Sequence, residues 1–317
     1  MAQPKQQYGG QAVIEGVMFG GRHVTVTAVR RKDHTIEFLE EPKAAHNRLQ
    51  NLKKLPFIRG IIGIIEASAI GSKHLNFAAE RYDVYPGEEA ASTEQGSKLT
   101  MILGVAVVGV LSLIIGKILF TAIPAFLATY FDQWIKSFFF RSLIEGVIKT
   151  FLLLIYIYSI SLTPLVKRLF QYHGAEHKVI NAFEAGAELT VENVGKFSRL
   201  HYRCGSSFII FTVIVGVVLY SFFPYSTVWE RVGERILLIP VVIGIAYEIL
   251  RFTNSLRDIP VLRYLGYPGL WLQKLTTKEP DHEQIEVAIA SFLKMKELDE
   301  KLAKNLTQER PLIHQIG

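Results

Sequence analysis

The chain alternates between two textures. Runs with almost no charge occupy residues 99–130, 143–166, 206–224 and 236–250, while residues 1–97 and 251–317 mix charged, polar and apolar positions as a soluble domain does. A helix needs roughly 20 apolar residues to cross the hydrocarbon of a bilayer. Each run is long enough, or nearly so. The pattern predicts a mainly α, polytopic membrane protein with about four transmembrane helices within residues 98–252. Elsewhere the period changes. VTVTAV and TIEFLE are β-favouring stretches parted by the charged turn Arg30–His34, which predicts a hairpin in a small N-terminal α+β region, residues 1–97. The glycine pairs Gly9-Gly10 and Gly20-Gly21 around QAVIEGVMF read as loop punctuation, the alternative being a close approach of backbone. LPFIRGIIGIIEASAIGSKHL is apolar but interrupted by Arg59, Gly60, Gly63 and Glu66, which predicts an interfacial or buried helix. DVYPGEEAASTEQGSK, residues 83–98, has the composition of a linker. In the C-terminal region, residues 253–317, RDIPVLRYLGYPGLWLQKL has membrane-interface character. Beyond it, Asp281 and Gln284 make an imperfect capping box before Ile285, Ala288, Ile289, Phe292 and Leu293, which share one face of an amphipathic helix.

Charge fixes an expected orientation. The net charge is +6, but no Lys/Arg run is dense enough to imply a nucleic-acid partner. The cations gather instead in the loop 167–205, with Lys167, Arg168, Lys178, Lys196, Arg199 and Arg203, and after the last run, with Arg251, Arg257 and Arg263. The intervening loops carry only Lys136 and Arg141, or Arg231 and Arg235 balanced by Glu230 and Glu234. The positive-inside rule then places the central loop and both termini in the cytoplasm of a multi-pass cell-membrane protein. MAQPKQQYGGQ lacks an apolar core for a signal peptide. Cys204 is the only cysteine, so no disulfide forms within the chain, and a lone thiol fits a reducing compartment. Lys117 reads as a snorkelling residue, and Glu145 with Lys149 as an i,i+4 pair.

The candidate chemistry lies in QYHGAEHKVIN, residues 171–181. On a helix, His173 and His177 stack one turn apart with Glu176 adjacent in angle, a geometry that a divalent metal such as zinc can use. H-x-x-E-H also matches the signature in which two histidines hold zinc and the glutamate activates water. A catalytic zinc usually takes three protein ligands, and His201, Cys204, Glu184, Glu188 and Glu248 are all candidates for the third. The competing reading is a polar helix over lipid headgroups, with Glu248 paired to Arg251 and Cys204 a small buried residue.

At these residues the chain resembles the YqhQ-like family of multi-pass bacterial membrane proteins, a family of unknown function described as metal-dependent enzymes. The resemblance rests on GGQAVIEGVMF (9–19), IRGIIGIIEASAIG (58–71), YHGAEHKVINAFE (172–184), HYRCGSSF (201–208) and PGLWLQKLTTKEPDHEQIEVAIA (268–290). Met18-Phe19 stands where the family is expected to have paired methionines, and Ser206 where threonine is commoner. Two classes of function are expected from these observations. One is a metal-dependent hydrolase at the cytoplasmic bilayer interface, with Glu176 as general base, acting on a lipid headgroup or a membrane-associated peptide or protein. The other is a non-enzymatic membrane component that assists assembly or transport of membrane-protein partners.

Overall fold

Strand β3, Val24–Arg30, is buried on both faces, as the unbroken run VTVTAV requires. It lies inside an antiparallel sheet of order β1-β2-β3-β4, with β1 Gly9–Val13, β2 Gly16–Gly20 and β4 Ile36–Pro42. The computed structural model describes residues 8–43, 52–88, 115–116, 119–120, 123–131, 133–224 and 227–313. The hairpin of β3 and β4 is the one expected from the sequence, but QAVIEGVMF adds a second. Gly9 and Gly10 are strand residues, with Gly9 opposite Gly20, and the turn is made at Glu15 with φ 51°. The reading of these glycines as loop punctuation is thus corrected: Gly10 has to lack a side chain. A Cβ there would sit 2.6 Å from Met18 O and 3.0 Å from Glu176 Cγ and Cδ.

One face of the sheet packs on helix α1, Ile58–Arg81, through Val13, Val29, Phe77 and Ala78. His74 lies between two threonine hydroxyls of β3, with Nε2 3.1 Å from Thr25 Oγ1 and Nδ1 2.6 Å from Thr27 Oγ1. The other face carries Val17, Phe19, Val24, Val26 and Ala28 into the main core. That core is completed by helices α4, Pro164–Glu184, and α9, His282–Ile313. Asp281 and Gln284 make the expected box at the start of α9, each accepting from the other's backbone N–H at 2.9 and 2.8 Å. Ile285, Ala288, Ile289 and Phe292 are buried as their spacing predicts, whereas Leu293 is 48% exposed and Met295 takes the inner place. The N-terminal sheet, the central segment and the C-terminal helix therefore share one core.

Residues 167–205, read from sequence as a loop, are largely helical: most of α4, then the short α5, Val191–Gly195. Beyond α2, Ile123–Thr129, come helices α3, Phe138–Ile160, α6, Gly205–Tyr220, and α7, Val228–Ser255, with α6 packed against both α3 and α7. Gly146 of α3 packs against Val217 of α6. Phe211 and Val215 of α6 pack against Val242 and Ala246 of α7. Among the described residues, two helical stretches are long and apolar enough to cross a membrane, Phe138–Ile160 and Gly233–Ser255, and α6 is a shorter apolar helix. The protein is thus mainly helical with a small N-terminal antiparallel sheet. Most of the first apolar run, with Lys117, lies outside the described residues, as does most of the 83–98 linker. Glu145 meets Arg235 of α7 at 3.6 Å, a partner on another helix that its spacing to Lys149 does not reveal. Helix α8, Tyr267–Thr276, packs beside α6 and buries Leu272, Gln273 and Thr276.

Candidate functional site

Helix α4 begins with Pro164 at its first position, where the missing N–H costs nothing, and carries His173, Glu176 and His177 on one side. Their surroundings decide what each ring nitrogen can do. His173 Nδ1 lies 2.8 Å from the Thr276 carbonyl at the end of α8, and His177 Nδ1 lies 2.6 Å from the Arg199 carbonyl. A carbonyl only accepts, so both Nδ1 atoms carry the proton and both Nε2 atoms present a lone pair. His173 Nε2 is 3.1 Å from Cys204 Sγ. His177 Nε2 is buried and makes no hydrogen bond of ordinary geometry among the described residues, although the Cys204 side chain acts on the same imidazole. One ring nitrogen of each histidine and Cys204 Sγ all lie within 4.8 Å of one another. Backbone carbonyls that orient imidazoles in this way are the usual outer support of metal-binding histidines.

Cys204 caps α6, its sulfur accepting from Ser206 N–H at 3.3 Å and lying 3.0 Å from Ser206 Oγ. It is held there by a strap, residues 195–204, that α4 grips with polar groups the sequence reading passed over. Lys178, 3% exposed, donates to the Gly195 and Phe197 carbonyls at 2.8 Å each and pairs with Glu279 at 2.5 Å. Asn181 donates to the Ser198 and Leu200 carbonyls at 2.7 and 3.0 Å. From α8, Gln273 accepts from His201 N–H at 2.8 Å and donates to its carbonyl at 2.7 Å. The only sequence signal for this scaffold was K-V-I-N directly after His177, polar residues that a buried helix face keeps only when they are bonded.

Glu176 is 5% exposed and sits under β1. Burial pushes its carboxyl up to about 7, against the nearby His173 and the Gly10 N–H that donates to it. Burial also lowers the imidazole of His177. A cavity of about 350 Å³ opens on His173, Glu176, His177, Cys204 and Ser206.

The other candidate ligands lie apart from this trio. His201 is buried with its ring 5.8 Å from that of His177, but its Nε2 faces Glu184, 3.8 Å away, and burial lowers its imidazole. Burial raises the Glu184 carboxyl, but the surrounding His201 and Arg203 outweigh it and hold the group down to about 2. Arg257 completes that cluster at 3.4 Å. Glu248 is not at the site. It forms a two-pronged ion pair with Arg59 of α1 and accepts the Phe57 N–H at 3.1 Å. The pairing follows from packing: a Cβ on Gly60 would lie 2.6 Å from Tyr247, so α1 crosses α7 at close range and delivers Arg59 to the next residue. Arg251, the partner expected from sequence, is replaced by a residue from a distant element.

Over residues 55–298 the chain matches the family described as "Protein of unknown function (DUF1385)". The chain belongs to that family. It is 55% identical over 295 residues to the "Uncharacterized protein YqhQ" of Bacillus subtilis (strain 168), covering 92% of this chain and 93% of that one. No solved structure matches it.

Proposed function

We propose that the protein is a multi-pass membrane enzyme, a metal-dependent hydrolase whose site faces the cytoplasmic surface of the bilayer. The observation that carries this reading is the convergence of a ring nitrogen of His173, one of His177 and Cys204 Sγ, with His177 Nε2 buried and, among the described residues, without a hydrogen bond of ordinary geometry. A thiol–imidazole nucleophile would need only one histidine, and the second nitrogen would stay buried at a cost. A divalent ion of the zinc type would use all three atoms, keep a coordination position open, and supply Lewis acidity to a substrate oxygen.

The chain's own residues supply the rest. Glu176, poised near neutrality, takes a proton from the attacking water and returns it to the leaving group. Gly205 and Ser206, at the start of α6, line the same cavity, where the positive end of the helix dipole favours negative charge developing on the substrate. Gly10 and β1 close over Glu176 and keep its environment dry.

Metal content of the full chain purified in detergent tests this. The parent and Glu176→Gln are expected to hold one equivalent of metal, and His177→Ala and Cys204→Ala to lose it. Retention of the parent's metal by both alanine variants would remove the basis of the proposal.

A further inference from the structure

A second cavity, of about 430 Å³, lies between α3, α6 and α7. It runs along α6 from Phe208 to Tyr220, roughly 18 Å at the ~1.5 Å rise of a helix. Its two ends differ in chemistry. Toward Tyr220 it is lined by Glu145, Glu234 and Arg235, with Lys149 one turn further along α3, two carboxylates and two cations in all. Glu145, its side chain 12% exposed, meets Arg235 at 3.6 Å, and the guanidinium lies 5.3 Å from the centre of the Tyr220 ring. Toward Phe208 the walls are mostly apolar, with Val213, Val242 and Ile243 and, beside them, Thr212, whose hydroxyl donates to the Ile209 carbonyl at 2.7 Å.

A cavity of this size, apolar with a few converging polar groups, has the form of a ligand site. Four ionisable groups in helices of this composition are costly to keep unless they serve each other or a ligand. Their charges cancel, so a ligand head of balanced charge fits them, while an anionic head would confront two carboxylates. The elongated apolar section continues in line from the charged end, as a hydrocarbon chain continues from its headgroup. We propose that this cavity binds a zwitterionic membrane lipid, with the ammonium and phosphate of its headgroup among Glu145, Lys149, Glu234 and Arg235 and one acyl chain toward Phe208. The inference rests on the reading that α3 and α7 cross a membrane, but not on the metal reading of the histidine site.

Native mass spectrometry of the full chain in mild detergent, titrated with phosphatidylethanolamine or phosphatidylglycerol of the same chain length, tests it. The parent is expected to retain phosphatidylethanolamine at least tenfold more tightly. Val213→Trp, which fills the apolar section, should abolish retention while leaving metal content at the parent's level. Glu145→Gln, which leaves the charged end with an excess positive charge, should shift the preference toward phosphatidylglycerol. Equal retention of the two lipids by the parent overturns the proposal without recourse to any variant. So does retention by a folded Val213→Trp equal to the parent's, or an unchanged preference in Glu145→Gln. Because metal content is read separately, loss of metal from the parent would count against the hydrolase reading and not against this one.

Discussion

Gly174 lies between the two positions that hold the candidate site together, and replacing it with alanine measures how tightly that site is built. A Cβ at Gly174 would fall 2.2 Å from the Lys278 carbonyl oxygen and 3.3 Å from its carbon. Atoms in contact want roughly 3.5 Å, so helix α4 and the 276–280 segment have to part by about 1 Å. Both are backbone at that point, so no side chain can swing aside. Such overpacking costs about 1–3 kcal/mol. The parting also loosens the bond from Lys278 N–H to Phe170 O and the bond from His173 Nδ1 to Thr276 O, both 2.8 Å, each worth about 0.5–1.5 kcal/mol. Alanine returns about 1 kcal/mol through its better helix propensity. The expected balance is a destabilisation of roughly 1–5 kcal/mol together with weaker metal retention, because His173 loses the carbonyl that orients it. Gly63→Ala on α1 is the control: its nearest neighbour is Tyr247 Cε2 at 4.0 Å, so the propensity gain stands alone. Thermal unfolding in detergent, followed by circular dichroism with metal content measured on the same samples, reads both effects. Gly174→Ala as stable as Gly63→Ala, with full metal content, would refute the reasoning that the 276–280 segment seats His173.

The ion pair of Glu248 with Arg59 predicts that Glu248→Gln lowers the unfolding temperature by separating α1 from α7 but leaves metal content unchanged; a loss of metal would return Glu248 to the site. Lys178→Met, which frees the strap carrying Arg199 and Cys204, should weaken metal affinity about 10- to 100-fold, as loss of outer support does elsewhere, and an unchanged affinity in a competition titration would contradict it. Burial, with a smaller push from Lys73 and against the pull of Glu41, lowers the imidazole of His74. Its folded value therefore lies below the unfolded one, so the unfolded state binds the extra proton, and the stability at stake is present above pH about 6.5 and is lost as pH falls below it. The difference in unfolding temperature between the parent and His74→Gln should narrow between pH 7.5 and 5 in steps of roughly half a unit; a difference independent of pH would show that His74 does not titrate between Thr25 and Thr27.

What could be read directly from the chain was whatever a local period or a short spacing encodes. The β3–β4 hairpin, the capping box at Asp281 and the helix spacing of His173 and His177 are of this kind, and Cys204 stood among the candidates by its place before an apolar run. The rest depends on contacts between distant segments. Glu248 met Arg59 because small residues let α1 and α7 approach, and no spacing within α7 encodes that. The β1–β2 hairpin was obscured because its glycines serve an approach to Glu176 that exists only after α4 has packed beneath the sheet. Nothing near His173 or His177 in sequence names the Thr276 and Arg199 carbonyls, although these fix both tautomers. The exposed side chain of Leu293 shows the limit of a helical face drawn without its neighbours, since α9 packs against β2, β3 and α4 at once and Met295 takes the inner place.

X-ray absorption at the zinc edge, on full-length protein purified without added chelator, tests the central claim most directly. The account predicts one zinc per chain with a first shell containing a single sulfur at about 2.3 Å and two imidazole nitrogens at about 2.0 Å, completed by a light atom that the protein does not supply. A chain that carries no metal, or a shell built of oxygens without sulfur, would contradict it.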